Sequence, residues 1–490
     1  MATTSFAIAP SPKTRSKTAK GLPIDPNAHP GVKIQSPISD YLATLVSQNS
    51  KDNPGANAAY IPELAAVNSD QIGACITTVD GYVYGAGATS VEFSIQSVSK
   101  PFVYALAIEE HGLDWVLKRV DVEPSGEAFN ELSLDGEQLP KNPMINAGAM
   151  TTHSLIGEGK YSVDERFEHI RKGLSAFAGR DLGVDEGSYK SEIATAFRNF
   201  SIAYMLRNYG AIKGDPGDVV KGYTRQCAIR LTAEDLAQMG ATLANGGKQP
   251  VTGVQVVSPE TVRQVLSVMT TCGMYNEAGH WVCEVGFPGK SGVSGCVLGV
   301  LPGNLGMATF SPRLDVAGNS VRGVRMYKQI AKEMVLHMML PPPPARTVIR
   351  RDYLLRSAEG EKIVVVSLMG AVNFTATERI VRVLQSRTAA QEAHTINGLV
   401  VDVRRVDQVY PVASRILAEA LRRLRATGHK VVLVDPGNIL LGELGKGSPT
   451  GIDTAPGDDA AADEIIGDTS QFESDKWERI PFSPQMMELD

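Results

Sequence analysis

Four consecutive prolines, Pro341–Pro344, divide the sequence into a long part and a short part. Proline fixes the backbone angle φ and has no N–H to donate, so neither a helix nor an inner strand continues through such a run, and a stiff extended spacer is favoured. The chain of 490 residues is also too long for one ordinary hydrophobic core. The proline run therefore predicts a boundary between two domains of unequal size.

The charge distribution adds boundaries near both ends. The first 35 residues hold five Lys or Arg side chains against one Asp, whereas residues 441–490 hold 12 acidic and 3 basic side chains. Such biased segments are typical of solvated tails. The predicted organisation is a flexible leader over 1–35, a large domain over 36–340, a proline-rich linker over 341–350, a small domain over 351–466 with its core at 351–440, and an acidic tail over 467–490.

Composition excludes several classes of protein. Hydrophobic residues make up 43% and charged residues 21%, as in soluble globular proteins, and no run approaches the roughly 18 apolar residues of a membrane span. The net charge of −6 gives no field for nucleic acid. The leader lacks the apolar core of a signal peptide, although its basic, Ser- and Thr-rich composition leaves a transit peptide as the less favoured alternative. We expect a cytoplasmic protein without a membrane or nucleic-acid partner.

Cysteine and histidine spacing argues against disulfides and metal sites. The five cysteines include no C-x-x-C pair, and the eight histidines show no spacing typical of metal ligands. Small buried thiols in a reducing compartment are the expected outcome. We therefore predict no metal and no organic cofactor.

Apolar periodicity predicts both helices and strands. Asp80-Gly81 lies between two β-rich runs over 72–86, the pattern of a tight hairpin. Further predicted elements of the large domain are helices over 97–112, 191–210 (capped by Ser191), 232–246 and 322–340, and strands at Val297–Leu301 and Met307–Phe310. In the small domain, strands at 362–369, 399–403 and 431–434 alternate with helices at 375–386 and 411–427, and a short helix follows at 458–466. This mixture predicts an α/β (α+β) two-domain protein.

The sharpest chemical motif is Ser97-Val98-Ser99-Lys100 at the start of a predicted helix. A spacing of three residues places the hydroxyl and the amine on one helix face, where a neutral lysine can take the serine proton. The positive end of the helix dipole disfavours the ammonium form, and free N–H groups there can stabilise an oxyanion. Alone, the motif also occurs by chance on surface helices. Lys290-Ser291-Gly292, at the start of a later strand, favours a penicillin-interacting serine hydrolase fold.

Seven short blocks follow one another in a fixed order within residues 36–335. They are Phe93-Ser-Ile-Gln-Ser-Val-Ser-Lys-Pro-Phe102, Asn142-Pro-Met-Ile-Asn-Ala-Gly-Ala149, Ser191-Glu192 with Arg198-Asn199-Phe200, Tyr223 with Gln226-Cys227, Leu243-Ala-Asn-Gly-Gly247, Cys272-Gly-Met-Tyr275 and Gly289-Lys-Ser-Gly-Val-Ser-Gly295. Together these blocks resemble the serine-dependent glutaminase family. The resemblance implies a β-lactamase-like fold and the hydrolysis of L-glutamine to L-glutamate and ammonia.

The resemblance also implies a role for each matched residue. Ser97 would be the nucleophile and Lys100 its base, with Tyr275 assisting proton transfer or lining the pocket, and the division of the base role between the last two stays open. Substrate would be held by Ser97, Tyr275 and the following residues: Gln96, Asn146, Glu192, Asn199, Tyr223 and the backbone of Val293.

The chemistry of these residues suits a zwitterionic substrate. A carboxylate such as Glu192 can accept from the ammonium of glutamine, while Asn and Tyr side chains can donate to its carboxylate. Glu192 and Asn199 are seven residues apart on one predicted helix, about two turns, so both are expected to face one pocket.

Residues 351–440 resemble a STAS domain, the fold of anti-sigma-factor antagonists and sulfate-transporter tails. The resemblance rests on Gly398–Val403, on Val406–Pro411, and on the predicted helix 411–427 with the strand that follows it. Switchable members carry a phosphorylatable Ser or Thr where this chain has Pro411, which has no hydroxyl, and Ser414 is an unconvincing substitute. The module is therefore interpreted as a docking or assembly element, with allosteric control as the second choice.

The favoured hypothesis is a cytoplasmic serine-dependent glutaminase that forms a homo-oligomer, dimer or tetramer, with a STAS-like module that can bind a protein partner. One alternative is another hydrolase of the same fold that acts on β-lactams or D-amino peptides. A second alternative is a STAS-based scaffold that carries an inactive enzyme domain.

Overall fold

The computed structural model describes residue 31 and residues 37–127, 130–334, 336–340, 348–357, 360–372, 374–389, 396–440, 453–454 and 477–481. The chain separates into two compact units, 1–340 and 341–490. Nearly all of the predicted leader, the proline run and the predicted helix at 458–466 lie outside the described residues. No helix within the described ranges is long and apolar enough to cross a membrane.

The first unit combines helices with a central sheet. Its helices are α1 (Pro37–Ser50), α2 (Pro62–Ala65), α3 (Lys100–His111), α4 (Leu113–Leu117), α5 (Asn146–Leu155), α6 (Val163–Ala178), α7 (Glu186–Ala194), α8 (Phe197–Asn208), α9 (Pro216–Cys227), α10 (Ala233–Ala244), α11 (Pro259–Cys272), α12 (Ala278–Glu284) and α13 (Val321–Glu333). Its strands are β1 (Gly73–Thr78), β2 (Val83–Gly87), β3 (Phe93–Ser94), β4 (Gly183–Val184), β5 (Ile229–Leu231), β6 (Gly289–Gly292), β7 (Cys296–Leu301) and β8 (Leu305–Phe310). Short 3₁₀ turns lie at Gln96–Ser99 and Tyr275–Glu277.

An antiparallel sheet in the order β2-β1-β8-β7-β6 forms the core of the first unit. The predicted hairpin is confirmed as β1–β2, and the two predicted later strands are confirmed as β7 and β8. The predicted helix at 232–246 is confirmed as α10, whose Thr232 and Asp235 form a reciprocal capping box. α10 packs on the sheet, where Gly240 and Gly306 allow the backbones to meet closely.

Helix α3 lies inside the first unit and not on its surface. Every residue from Lys100 to Ile108 is buried, and α3 packs against α5, α6 and α11. The predicted helix at 97–112 is confirmed, except that its first turn is the 3₁₀ turn Gln96–Ser99. Gly112 ends the helix with φ of 83°, a backbone angle that other residues rarely adopt.

The predicted single helix at 191–210 is wrong, because the chain breaks between α7 and α8. The N–H of Thr195 bonds to the carbonyl of Glu192, and the N–H of Phe197 bonds to that of Thr195, so the backbone tightens and a new helix begins. Ser191 lies within α7, whose cap is Asp185. Glu192 and Asn199 therefore lie on two different helices.

Helix α13 is shorter than the predicted 322–340. It ends at Glu333, and the N–H of Met338 bonds instead to the carbonyl of Gly286. The chain after Glu333 bonds to a carbonyl that is distant in the sequence, which the apolar pattern alone does not show.

In its described residues, the second unit has a six-stranded sheet in the order β13-β12-β11-β10-β9-β14 and two α-helices. Its elements are β9 (Ile349–Ser357), β10 (Lys362–Val372), α14 (Phe374–Ala389), β11 (Ile396–Val409), α15 (Pro411–Ala426), β12 (Lys430–Val434), β13 (Asp453–Thr454) and β14 (Trp477–Pro481). The three predicted strands and two predicted helices of this part are confirmed as β10, β11, β12, α14 and α15. β10 to β13 run parallel, whereas β9 and β14 run antiparallel to their neighbours.

The prediction of an acidic tail from 467 onward is wrong at 477–481. These residues form β14, which pairs with β9 from Trp477 opposite Ser357 to Pro481 opposite Tyr353. The physical reason is that an edge strand carries a row of unpaired backbone groups, which a further strand can satisfy whatever the charge of the flanking sequence.

The contact between α10 and β8 gives a test of the first unit. A Cβ atom added at Gly306 would lie 2.1 Å from the backbone nitrogen of Ala241, so α10 would have to move away from the sheet. We expect Gly306→Ala to lower the free energy of unfolding by about 1–3 kcal/mol, the usual cost of overpacking. Urea denaturation of the full chain measures this.

Gly214→Ala is the matched control, because no atom lies within 4 Å of the added methyl group. The control should change stability by less than about 0.5 kcal/mol. Equal stability of both variants would show that α10 and β8 are not in this close contact.

Candidate active site

Ser97 lies in the 3₁₀ turn that connects β3 to α3. The turn is fixed by a hydrogen bond of 2.8 Å from the N–H of Ile95 to the carbonyl of Ile229, and Ser97 is only 7% exposed. The preceding residue, Gln96, has φ of 49°, which is uncommon for a residue with a side chain. A buried serine next to a strained residue is typical of a functional position.

Lys100 lies at the start of α3 and is fully buried. Its Nζ donates to the carbonyl of Met144 at 3.1 Å and to Oδ1 of Asn146 at 2.7 Å. Burial lowers the pKa of Lys100 to about 8, although Cys227 and Glu192 oppose this. The amine therefore gains or loses its proton close to neutral pH.

Asn146 connects Lys100 to two further helices. Its Oδ1 also accepts from the hydroxyl of Tyr223 at 3.3 Å, and its Nδ2 donates to Oδ1 of Asn199 at 3.0 Å. The four residues come from α3, α5, α8 and α9, so one hydrogen-bonded cluster holds four helices together. The sequence predicted these residues at one site, and the structure brings them together.

Glu192, on α7, is the carboxylate of the site. Its Oε2 accepts from Nε2 of Gln96 at 3.2 Å. Burial raises its pKa to about 7, while the hydrogen bond from Gln96 and the charge of Lys100 act in the opposite direction. Although Glu192 and Asn199 lie on different helices, both belong to this site, because Glu192 interacts with Lys100 and Asn199 bonds to Asn146.

Tyr275 begins the second 3₁₀ turn and is hydrogen-bonded to Ser97. It has φ of 53°, and its hydroxyl donates to the carbonyl of Ser291 at 3.0 Å. Burial raises its pKa, and a hydrogen bond with Ser97 opposes that rise. Because the single phenolic proton goes to Ser291, the Tyr275 oxygen is the acceptor in the bond with Ser97. Val293 is buried in the turn that follows β6.

Two residues near this site received no role from the sequence. Lys290, in the Lys-Ser-Gly motif, is fully buried, lies with its Nζ 4.2 Å from the ring centroid of Tyr275 and donates to the carbonyl of Ser291 at 2.8 Å. Tyr60 is 55% exposed, and its pKa is raised by partial burial and by the charge of Glu192. The motif could have suggested Lys290, whereas no local pattern marks Tyr60.

The site is built from hydroxyl, amine, amide and carboxyl groups. Within the described ranges, no group of three or more His, Cys, Asp and Glu side chains could hold a metal ion. What the residues present can do is activate a hydroxyl nucleophile and bind a small ligand that carries both charges.

Comparison with known proteins gives consistent matches. A family model described as Glutaminase matches residues 55–339. The chain is 46% identical to a glutaminase of Corynebacterium efficiens over 83% of this chain and 94% of the relative. It is also 46% identical to a glutaminase of Trichormus variabilis, over 62% of this chain and 90% of that relative. The solved native form of Mglu is 42% identical, with a TM-score of 0.74, over 82% of this chain and 100% of that one.

The burial of Lys100 predicts a pH-dependent stability. Because its pKa is lowered in the folded state, the unfolded chain binds the proton more tightly, and protonation costs stability below the folded pKa. A change from 10.5 to about 8 corresponds to about 3 kcal/mol. Relative to Lys100→Met, the unaltered protein should therefore gain about that free energy of unfolding between pH 7 and pH 10.5.

Chemical denaturation of both proteins across this pH range measures the difference, in which the titration of groups that do not interact with Lys100 cancels. A difference that stays constant with pH would mean that the ammonium is not desolvated.

Proposed function

This chain belongs to the glutaminase family and is a glutaminase, and from that premise we propose that Ser97 is the nucleophile that attacks the side-chain amide of L-glutamine. The observation that carries the proposal is the pair of groups around Ser97: Tyr275 accepts its hydrogen bond, and Lys100, with a pKa of about 8, lies three residues along the same helix start. A serine needs such a base before it can attack an amide.

Glutamine binding is assigned to the residues of the hydrogen-bonded cluster. Glu192 accepts from the substrate ammonium, and Gln96 orients that carboxylate through its 3.2 Å bond. Asn146, Asn199 and Tyr223 supply amide and hydroxyl donors for the substrate carboxylate. The backbone of Val293, with that of Ser97, is assigned to the oxyanion that forms on the amide carbonyl.

The proposed reaction has two steps. Neutral Lys100 takes the proton of Ser97 as its oxygen bonds to the amide carbon, and the leaving nitrogen receives that proton and departs as ammonia. Water then attacks the resulting ester, with Lys100 again as base, which releases glutamate and restores the Ser97 hydroxyl. Tyr275 is assigned to orient the serine oxygen. Its raised pKa keeps the phenol protonated at neutral pH, so it is a poor general base.

The relatives favour this reaction over the alternatives of the same fold. The relatives from Corynebacterium efficiens and Trichormus variabilis are named glutaminases, and neither is named for β-lactams or D-amino peptides. The proposed nucleophile, base and binding residues are all present, which argues against an inactive scaffold.

Replacement of the nucleophile gives the direct test. We expect Ser97→Ala to lower kcat/KM for L-glutamine by at least about a thousandfold, because the substitution removes the oxygen proposed to attack the amide. Ammonia release from L-glutamine, L-asparagine and D-glutamine, each measured with the unaltered protein and the variant, gives the reaction and its substrate together.

Ser175→Ala is the control. Ser175 is a buried serine of α6, and its hydroxyl accepts a hydrogen bond from the N–H of Leu182. The control should keep full activity. Full activity of Ser97→Ala would remove Ser97 from the mechanism.

We further propose that the second unit is a STAS-like module used for assembly. The alternation of strands and helices and the sequence pattern support the fold. Phosphorylation is disfavoured because Ser414 is fully buried and donates to the carbonyl of Leu440, so its hydroxyl does not face a kinase. Docking is supported by an apolar groove of about 680 Å³ between α14 and α15, lined by Val381, Leu384, Ile416, Ala420 and Leu424.

A second copy of the chain is the proposed occupant of this groove, giving a dimer or tetramer, and a separate protein partner is the alternative. At its border Glu419 and Arg423 pair with each other at 2.8 Å, so a symmetric contact would rest on the apolar side chains of the groove. We also propose a cytoplasmic location, which is supported by five free cysteines.

The assembly proposal predicts a change of mass in solution. Ile416→Glu places a charge in the apolar groove, and the mass from light scattering should fall to that of a smaller species. Met369→Glu is the control, because Met369 is similarly exposed in the same unit but lies on β10 outside the groove. A monomeric unaltered protein, or equal masses for both variants, would contradict the proposal.

A further inference from the structure

A row of buried polar side chains runs behind Ser97. The hydroxyl of Ser99 donates to the backbone carbonyl of Gln96 at 2.8 Å and accepts from Nε2 of Gln226 at 2.9 Å. Oε1 of Gln226 lies 2.9 Å from Nδ1 of His153. All four residues are at most 3% exposed, and they connect the 3₁₀ turn to α9 and α5.

The direction of these hydrogen bonds is fixed by the chemistry of the groups. The Ser99 proton goes to the Gln96 carbonyl, so its oxygen must accept from Gln226, and only the amide nitrogen of Gln226 can donate. The amide oxygen of Gln226 then needs a donor, which His153 provides only in the tautomer with the proton on Nδ1. The four residues, called here the relay, therefore have one consistent arrangement.

The relay ends at His153, which is fully buried and does not contact solvent. Nε2 of His153 has no hydrogen-bond partner within the described residues, and Gly222 leaves just enough room for it, since an added Cβ there would lie 2.4 Å away. Burial lowers the pKa of His153 to about 3, with Arg166 acting in the same direction and Gln226 against it. His153 thus stays neutral and acts through Nδ1 alone.

The other end of the relay is Gln96, whose backbone conformation is strained. Gln96 has φ of 49°, and its side chain binds Glu192, the proposed acceptor of the substrate ammonium. A non-glycine residue keeps such a conformation only where its surroundings hold it there. The bond from Ser99 to the Gln96 carbonyl is placed to do this, and loss of any member would leave a buried partner unsatisfied.

We propose that His153, Gln226 and Ser99 are positioning residues that hold Gln96, and through it Glu192, in the arrangement that binds the substrate. The proposal rests on the proposed function of Glu192 and Ser97. It assigns to these three side chains a role in substrate affinity and no contact with the reacting atoms.

Removal of the central hydroxyl tests the relay. Ser99→Ala should raise KM for L-glutamine about tenfold and change kcat less than about threefold, because the nucleophile and base remain. Ser154→Ala is the matched control: Ser154 is buried on α5 beside His153, but its hydroxyl donates to the carbonyl of Thr151. This control should leave KM and kcat unchanged. An unchanged KM in Ser99→Ala, or a loss confined to kcat, would overturn the proposal.

Two replacements of His153 test the relay independently of Ser99→Ala. They decide the question even if Ser99→Ala does not fold. Asparagine can place an amide N–H where Nδ1 lies, whereas glutamine places its amide near Nε2. His153→Asn should therefore keep KM within about threefold of the unaltered protein, and His153→Gln should raise it as Ser99→Ala does. Equal effects, or a better result with glutamine, would overturn the relay.

The same measurements separate failure of the relay from failure of the proposed function. If Ser97→Ala abolishes hydrolysis while Ser99→Ala and the His153 variants behave like the unaltered protein, only the relay is wrong. If Ser97→Ala remains active, the proposed nucleophile is wrong, and so is the role of the relay that depends on it.

Discussion

The burial of one amine group sets the conditions for the rest of the first unit. Lys100 lies at zero exposure in α3, a helix that is otherwise packed with apolar side chains. A charged amine in such surroundings is costly unless acceptors surround it. Asn146 and the carbonyl of Met144 are those acceptors, and Glu192 supplies an opposing charge. The positions of α5 and α7 are therefore tied to the same group that is the proposed base for Ser97.

Strain is distributed on both sides of Ser97. Gln96 and Tyr275 both have positive φ, and the side chain of each bonds to another element: Gln96 to Glu192 on α7, and Tyr275 to Ser291 on β6. Two such residues cost of order 1–3 kcal/mol each, which the buried surroundings must offset. If Ser97 is the nucleophile, as proposed, such fixed surroundings reduce the reorganisation needed during the reaction.

Local signals in the sequence were sufficient for several strongly patterned elements but not for the site as a whole. The Asp80-Gly81 hairpin and the helix predicted over 232–246 depend on neighbouring residues, so they could be predicted. The break at Thr195 and the strand at 477–481 depend on distant partners, and no local pattern shows them. Ordered motifs indicated the clustered residues Lys100, Asn146, Asn199 and Tyr223, whereas Tyr60 and His153 could be found only from their positions in space.

The pairing of β14 with β9 has a consequence for how the second unit folds. Trp477 meets Ser357 across a long interval of sequence, so the contact requires the closure of a large loop and forms slowly compared with the neighbouring β9–β10 pairing. Until it forms, the outer side of β9 is an unpaired strand edge that can capture the same edge of another unfinished chain. The second unit is thus most prone to aggregation before the five-residue strand β14 has paired with β9.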